Sequence, residues 1–183
     1  LDHWHQDGTM SKELWGSVSG STYLGANEDF ANAQVVLYMS GSWQIPQFVD
    51  TIGDGFDWWA VPAPCGPAAC TGMPGGAALV AMKDTEHPEV VGKLMDLLAL
   101  EDNLADFYGK TLFIPGHMNL ATGGVEFATD DPRAKHALET FSGAVPYISP
   151  VGVDLQGYKN NRVMFNALIS RVDEASVGGM SLD

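Results

Sequence analysis

The chain has 183 residues, 45% of them hydrophobic, with 23 Asp and Glu against 9 Lys and Arg and a formal net charge of −14. That apolar content supports a packed core, in one domain or two small lobes, and excludes a disordered chain. The acidic balance, with no basic cluster to offset it, excludes nucleic acid and anionic membrane surfaces as partners.

No apolar run approaches the roughly 18 residues of a membrane span. There is no initiator Met, no basic leader and no apolar leader segment, so any export signal is expected to have been removed or to lie outside this chain. Leu1 opens within an element already under way and Asp183 stops without a tail. The chain therefore reads as a fragment.

Residues 1–34 read as short helices, with Ser11 capping a turn through Trp15 and Asn27 capping one through Phe30. His3-Trp4-His5 would put two imidazoles on one face of a strand, but no third ligand is identifiable and no metal or other cofactor is assigned. Val35-Val36-Leu37-Tyr38-Met39 then reads as a buried strand. The small turn Ser40-Gly41-Ser42 delivers Trp43 to its carboxyl end, where open α/β sheets bind ligands. Gly41 lacks the Cβ that would crowd a ligand, and Trp43 offers a flat apolar face beside an indole donor, a combination suited to a sugar ring. A core strand ending in a core Trp is the alternative.

Residues 45–49 predict a short helix broken at Gly53-Asp54-Gly55, and residues 56–61 a second strand whose Trp58 and Trp59 point to opposite faces. At most one of the two is expected to touch a ligand. A loop rich in Gly and Pro follows, from Pro62 to Gly76. Within it, Cys65 and Cys70 are spaced so that the loop can double back and close a disulfide, free thiols being the alternative; a disulfide would place the protein outside the cytoplasm. The loop ends in Met73-Pro74-Gly75-Gly76, where paired glycines permit unusual backbone angles or close approach to a ligand. A third apolar strand is predicted at residues 77–82.

Helical periodicity then takes over. Pro88 opens a helix whose stripe is Val90, Val91, Leu94, Leu97 and Leu98, and a second helix carrying Leu104, Phe107 and Tyr108 stops at Gly109. Asp131 and Pro132 start another as N-cap and first residue, with Ala134, Ala137, Leu138 and Phe141 on its buried side. Residues 148–157 read as a loop, followed by a helix over 158–177 with Val163, Met164, Ala167, Leu168 and Val172 as its stripe. Gln156, Tyr158 and Asn161 cluster near its start, where unpaired backbone donors can hold a ligand hydroxyl.

No catalytic signature emerges. Gly16-Ser17-Val18-Ser19-Gly20 has Val where a serine nucleophile elbow needs Ser, no phosphate-binding loop or zinc-helix motif is present, and among so many carboxylates some facing pair is inevitable. A binding protein is expected, not an enzyme.

In order and spacing, residues 30–43 (Phe30-Ala31-Asn32-Ala33-Gln34-Val35 into Tyr38-Met39-Ser40-Gly41-Ser42-Trp43), Pro62-Ala63-Pro64, Gly75-Gly76, His87-Pro88-Glu89 and Ile114-Pro115 resemble the extracellular solute-binding family of carbohydrate importers to which maltose-binding protein belongs. The resemblance implies an α/β, two-lobed fold of the type II periplasmic-binding-protein kind, with a sugar held between lobes that close over it. Family members are longer, so the chain would be a partial one, mostly carboxyl-terminal lobe. Residues 1–72 and 118–183 would form that lobe and residues 77–115 would cross into the other, otherwise missing, lobe. A second chain or a swapped copy could supply what is missing.

Carried over by position, Trp43 matches the ring-stacking aromatic, with Gly41 and Ser42 beside it. Met73, Gly75 and Gly76 match the crossing segment, and Gln156 to Tyr158 a further ligand-facing loop. Gly157 stands where the family has a second stacking Trp, and Tyr158 is the available substitute. Ala33 stands where the family usually has Gly. The implied partners are a small carbohydrate and the membrane permease of an ABC importer. The implied location is periplasmic or extracellular, with a lipid anchor possible in the full-length protein.

Overall fold

The computed structural model describes residues 6–8, 26–67, 69, 70, 72 and 74–176. Two compact units are formed, one from Leu1–Met39 with Leu155–Asp183 and one from Ser40–Asp154. The His3 and His5 pair, the Ser11 turn and Met73 lie outside the described residues.

In the first unit, helix α1 (Ala26–Ala31) carries Glu28 and Asp29 in its first turn, where carboxylates favour the positive end of the helix dipole. It ends in a Schellman arrangement. Ala33 N–H donates to Phe30 O at 2.9 Å and Gln34 N–H to Asp29 O at 2.8 Å, which occupies carbonyls the helix leaves unpaired. The motif requires one left-handed residue, and Ala33 takes that place with φ at 56°. A Cβ in this conformation costs about 1 kcal/mol relative to glycine. Ala33→Gly is therefore expected to stabilise the protein by about 0.5–1 kcal/mol in urea titration, after the loss of chain entropy is counted. A midpoint at or below that of the parent would contradict this account of the turn.

Among the described residues, the larger core lies in the second unit. Helix α2 (Ile45–Ile52) starts with Pro46 in its first turn and stops at Gly53, whose φ of 49° turns the chain away. Its buried residues Ile45, Phe48 and Ile52 recur at helical spacing on one face. Helices α3 (Pro88–Leu98) and α4 (Glu101–Thr111) pack against each other. A π turn at Leu120–Gly124 buries Leu120 and Ala121. Helix α5 (Pro132–Ala144) buries Ala134, Ala137 and Leu138; it contacts α2 on one side and the π turn on another. The two alanines keep that face of α5 low, so that Leu138, fully shielded from solvent, can fill the space between the elements. Trp58 seals the same core, its ring edge-on to Phe48 with centroids 5.8 Å apart.

Several expectations are corrected. No β-strand occurs among the described residues, and the segments 35–39, 56–61 and 77–82, predicted as strands, are irregular. A strand exists only where a neighbour's N–H and C=O form a ladder alongside it, and no such ladder is formed along these segments. Val36 is 93% exposed, and Leu79, Val80 and Met82 are likewise open. The stripe of α3 is correctly phased but not buried: Val90, Leu94, Leu97 and Leu98 face solvent. Periodicity reports which residues share a face and not whether that face meets a partner. The predicted loop at residues 148–157 is instead largely helix α6 (Pro150–Gly157). Pro150 acts as a helix opener and Gly157 as its end. The chain passes from the second unit to the first within α6. Helix α7 (Asn161–Ser176) then starts later than expected, and Val163, Met164 and Leu168 on its stripe are exposed.

Candidate functional site

Trp43 sits in a single 3-10 turn, Ser42–Gln44, immediately before α2. The turn is closed by Gln44 N–H donating to Gly41 O at 3.1 Å. Gln44 is buried on the core side, with its Oε1 lacking a protein partner, while Trp43 turns outward with 48% of its surface exposed. The indole folds back over the preceding backbone so closely that a Cβ on Gly41 would overlap the six-membered ring. Only glycine fits there. Thirty-odd residues later in the chain, Gly75 comes up to the same ring, where a Cβ would make ordinary contact with Cζ3 at 3.8 Å. Gly41, Trp43 and Gly75 are therefore brought together, with Ser42 half-buried beside them.

The segment that brings Gly75 in also meets α6. A Cβ on Gly152, in α6, would stand 3.0 Å from Pro74 Cδ and 4.0 Å from Gly72 O, so the helix lies flush against this loop. Further back, Cys65 and Cys70 are joined by a disulfide, and Gly66 N–H donates to Ala69 O at 3.0 Å inside the ring. The closed ring removes freedom from the loop leading to Gly75. Gly76 is exposed, with open space around it. Gln156 and Tyr158 belong to the other unit. Tyr158, 51% exposed, forms the turn between α6 and α7, where its N–H donates to Leu155 O and its carbonyl accepts from Asn161 N–H.

A separate cleft of about 390 Å³ is lined by Asp54, Phe56, Asp57, Trp59, Pro132 and Arg133; of these, only Trp59 was weighed as a ligand contact from the sequence. The frame of the cleft is the start of α5. Asp131 caps the helix by accepting from Arg133 N–H at 2.8 Å and Ala134 N–H at 3.2 Å. The same carboxylate binds the Arg133 side chain through both its oxygens, at 3.1 Å from Nε and 2.6 Å from the terminal nitrogen. The other terminal nitrogen of Arg133 donates to Gly53 O at 2.7 Å and Phe56 O at 3.3 Å, which ties α5 to the end of α2. The signal for the cap was legible; the span from Arg133 to Gly53, eighty positions apart, was not.

Arg133 holds the Asp131 carboxyl down to about pKa 2, its side-chain bond outweighing the opposing effect of partial burial, and the two capping N–H groups add to the lowering. Arg133 is shifted upward by the same pairing. A lowered folded-state pKa contributes stability that is complete above the unfolded value near 4 and is lost as pH falls towards 2. Acid titration of the urea midpoint is expected to lose about 1–2 kcal/mol over that window, screening by solvent included, and Asp131→Asn should remove this part of the slope. An unchanged slope in the variant would contradict the assignment.

Among the described residues, no group of three or more His, Cys, Asp or Glu side chains is placed to hold a metal ion, and no helix is long and apolar enough to cross a membrane. The Trp43 turn offers a half-open aromatic ring between two glycine backbones, an arrangement that can cover a ligand face. The family model for bacterial extracellular solute-binding proteins matches residues 4–136. The chain belongs to that family. No curated protein and no solved structure matches it.

Membership in the solute-binding proteins places the chain in the periplasm or outside the cell, and the Cys65–Cys70 disulfide suits such a compartment. The family binds solutes and is not an enzyme family. It implies a small-molecule ligand, a membrane transporter as partner and a two-lobed binding fold. The match begins before the Trp43 turn and runs through the start of α5.

Proposed function

We propose that this solute-binding protein carries a sugar or oligosaccharide to an ABC importer, and that the sugar stacks on Trp43. The supporting observation is the ring itself: an indole 48% exposed, kept free of side chains by Gly41 and met by the backbone at Gly75. An aromatic platform covers the C–H face of a pyranose, and neighbouring backbone groups and Ser42 would replace water at its hydroxyls. The ligand leaves unchanged, since the site supplies shape and hydrogen bonds only. Binding would close the lobes to the extent that contacts in the closed form exceed the cost of closure.

In this reading residues 1–72 and 118–183 belong to the carboxyl-terminal lobe, and residues 77–115 to the facing one. The apolar side chains left exposed along residues 77–82 and on α3 support that assignment, because such surface is commonly covered by a partner. Gly76 extends the proposed ligand surface in the second unit, and Met73, Gln156 and Tyr158 are proposed as further ligand contacts.

Isothermal titration against a panel of mono- and oligosaccharides tests the proposal. Saturable binding of at least one sugar, with the sugar recovered intact, is the expected result. Heat only from a non-sugar solute such as a polyamine, peptide or osmolyte would replace the sugar reading, and turnover of a glycoside would overturn it.

A further inference from the structure

We propose that the cleft beside Trp59 is a second binding site, and that it takes an organic ammonium ion. It shares no residue with the Trp43 platform, so it stands or falls independently of the sugar reading. Trp59 lines the cleft with 56% of its surface exposed. Its ring is braced by His136, with centroids 5.1 Å apart and planes at 78°. His136 is itself fixed by a 3.0 Å contact from Nε2 to Ala60 O; a carbonyl only accepts, so Nε2 carries the hydrogen. Phe56 adds a second aromatic side chain to the lining.

The charges of the cleft do not cancel. Arg133 is the cation at its wall, but its guanidinium is committed to both oxygens of Asp131 and to the carbonyls of Gly53 and Phe56. Asp131 thus balances Arg133. Asp54 and Asp57 also line the cleft; they act on Arg133 through space, and no direct bond from its committed donors reaches them. With one cation already balanced, these two carboxylates leave the cleft with a local charge of about −2.

Two carboxylates beside an exposed indole select a particular chemistry. An anion is repelled, and a neutral sugar gains nothing from the charge. A bare metal ion would prefer convergent oxygens to an indole. An alkylammonium head satisfies both features, because its charge is attracted to the carboxylates and to the ring face, and its C–H groups cover the ring. The volume of about 390 Å³ admits a small head group.

The test is calorimetric titration of the intact protein with choline chloride and, at the same ionic strength, with 3,3-dimethylbutan-1-ol, its uncharged isostere. Choline is expected to bind at least tenfold more tightly than the alcohol. Trp59→Leu and the double variant Asp54→Asn/Asp57→Asn should each weaken choline at least tenfold, and Trp59→Phe should retain part of the affinity. Thermal melts of the variants, all at exposed positions, check that the fold is kept. Equal binding of choline and alcohol would show an apolar groove only, and unchanged choline binding in both Leu and Asn variants would place the ion elsewhere; either result overturns the proposal, as does the absence of choline binding to the parent.

Discussion

Trp43→Ala is expected to lower sugar affinity about 100-fold while leaving the melting temperature within about 2 °C of the parent. A buried indole at the centre of an interface contributes on the order of 2–3 kcal/mol, and each 1.4 kcal/mol is a factor of ten in affinity. The fold should not notice the loss, because the ring lies on the outer side of its turn and rests on glycine backbones rather than inside the core. Gly41→Ala offers a second route to the same outcome with the indole retained. Its new methyl group occupies the space of the six-membered ring and must drive the ring from its seat. If both variants bound sugar as the parent does, the platform would not be the ligand site.

Leu138→Ala is expected to be the most destabilising single truncation in the second unit. The side chain is fully buried, and the other buried positions of α5, Ala134 and Ala137, are too small to fill the gap its loss would leave. Loss of a fully buried leucine costs about 2–5 kcal/mol through lost burial and the cavity left behind. For a chain of this length that corresponds to a fall in Tm of roughly 10 °C. Leu168→Ala on α7, where the residue is exposed, should change stability by less than about 0.5 kcal/mol. A scan finding the two variants alike would mean that the core has been placed in the wrong helix.

These two residues also mark what could be read before any coordinates. Leu138 was legible because Asp131, Pro132, Ala134 and Ala137 all agree on one helix with one buried face, and local chemistry and packing coincide there. The stops at Gly53 and the opening at Pro88 were legible for the same reason. The segments at residues 35–39 and 77–82 were misread. Runs of apolar residues predict burial in a sheet, but a ladder depends on neighbours that local sequence does not specify. Trp43 could be proposed as a platform from the Gly41-Ser42-Trp43 pattern, whereas the approach of Gly75 to its ring depends on a loop fixed by a disulfide and by Gly152. The Trp59 cleft was hidden for a similar reason: residues 56–61 do not form the strand expected of them, and although Trp58 is buried and Trp59 exposed, only the long reach of Arg133 to Gly53 and Phe56 shows what surrounds the exposed one.

The central claim is that a carbohydrate lies on the Trp43 indole. Indole N–H resonances assigned by single Trp substitutions report this directly during titration with the tightest sugar from the calorimetric panel. The account predicts a saturable shift of the Trp43 resonance, with the same midpoint as the heat, and little change at Trp58 in the core. A sugar that binds with the Trp43 resonance unmoved, or a protein on which no sugar moves it, would contradict the account.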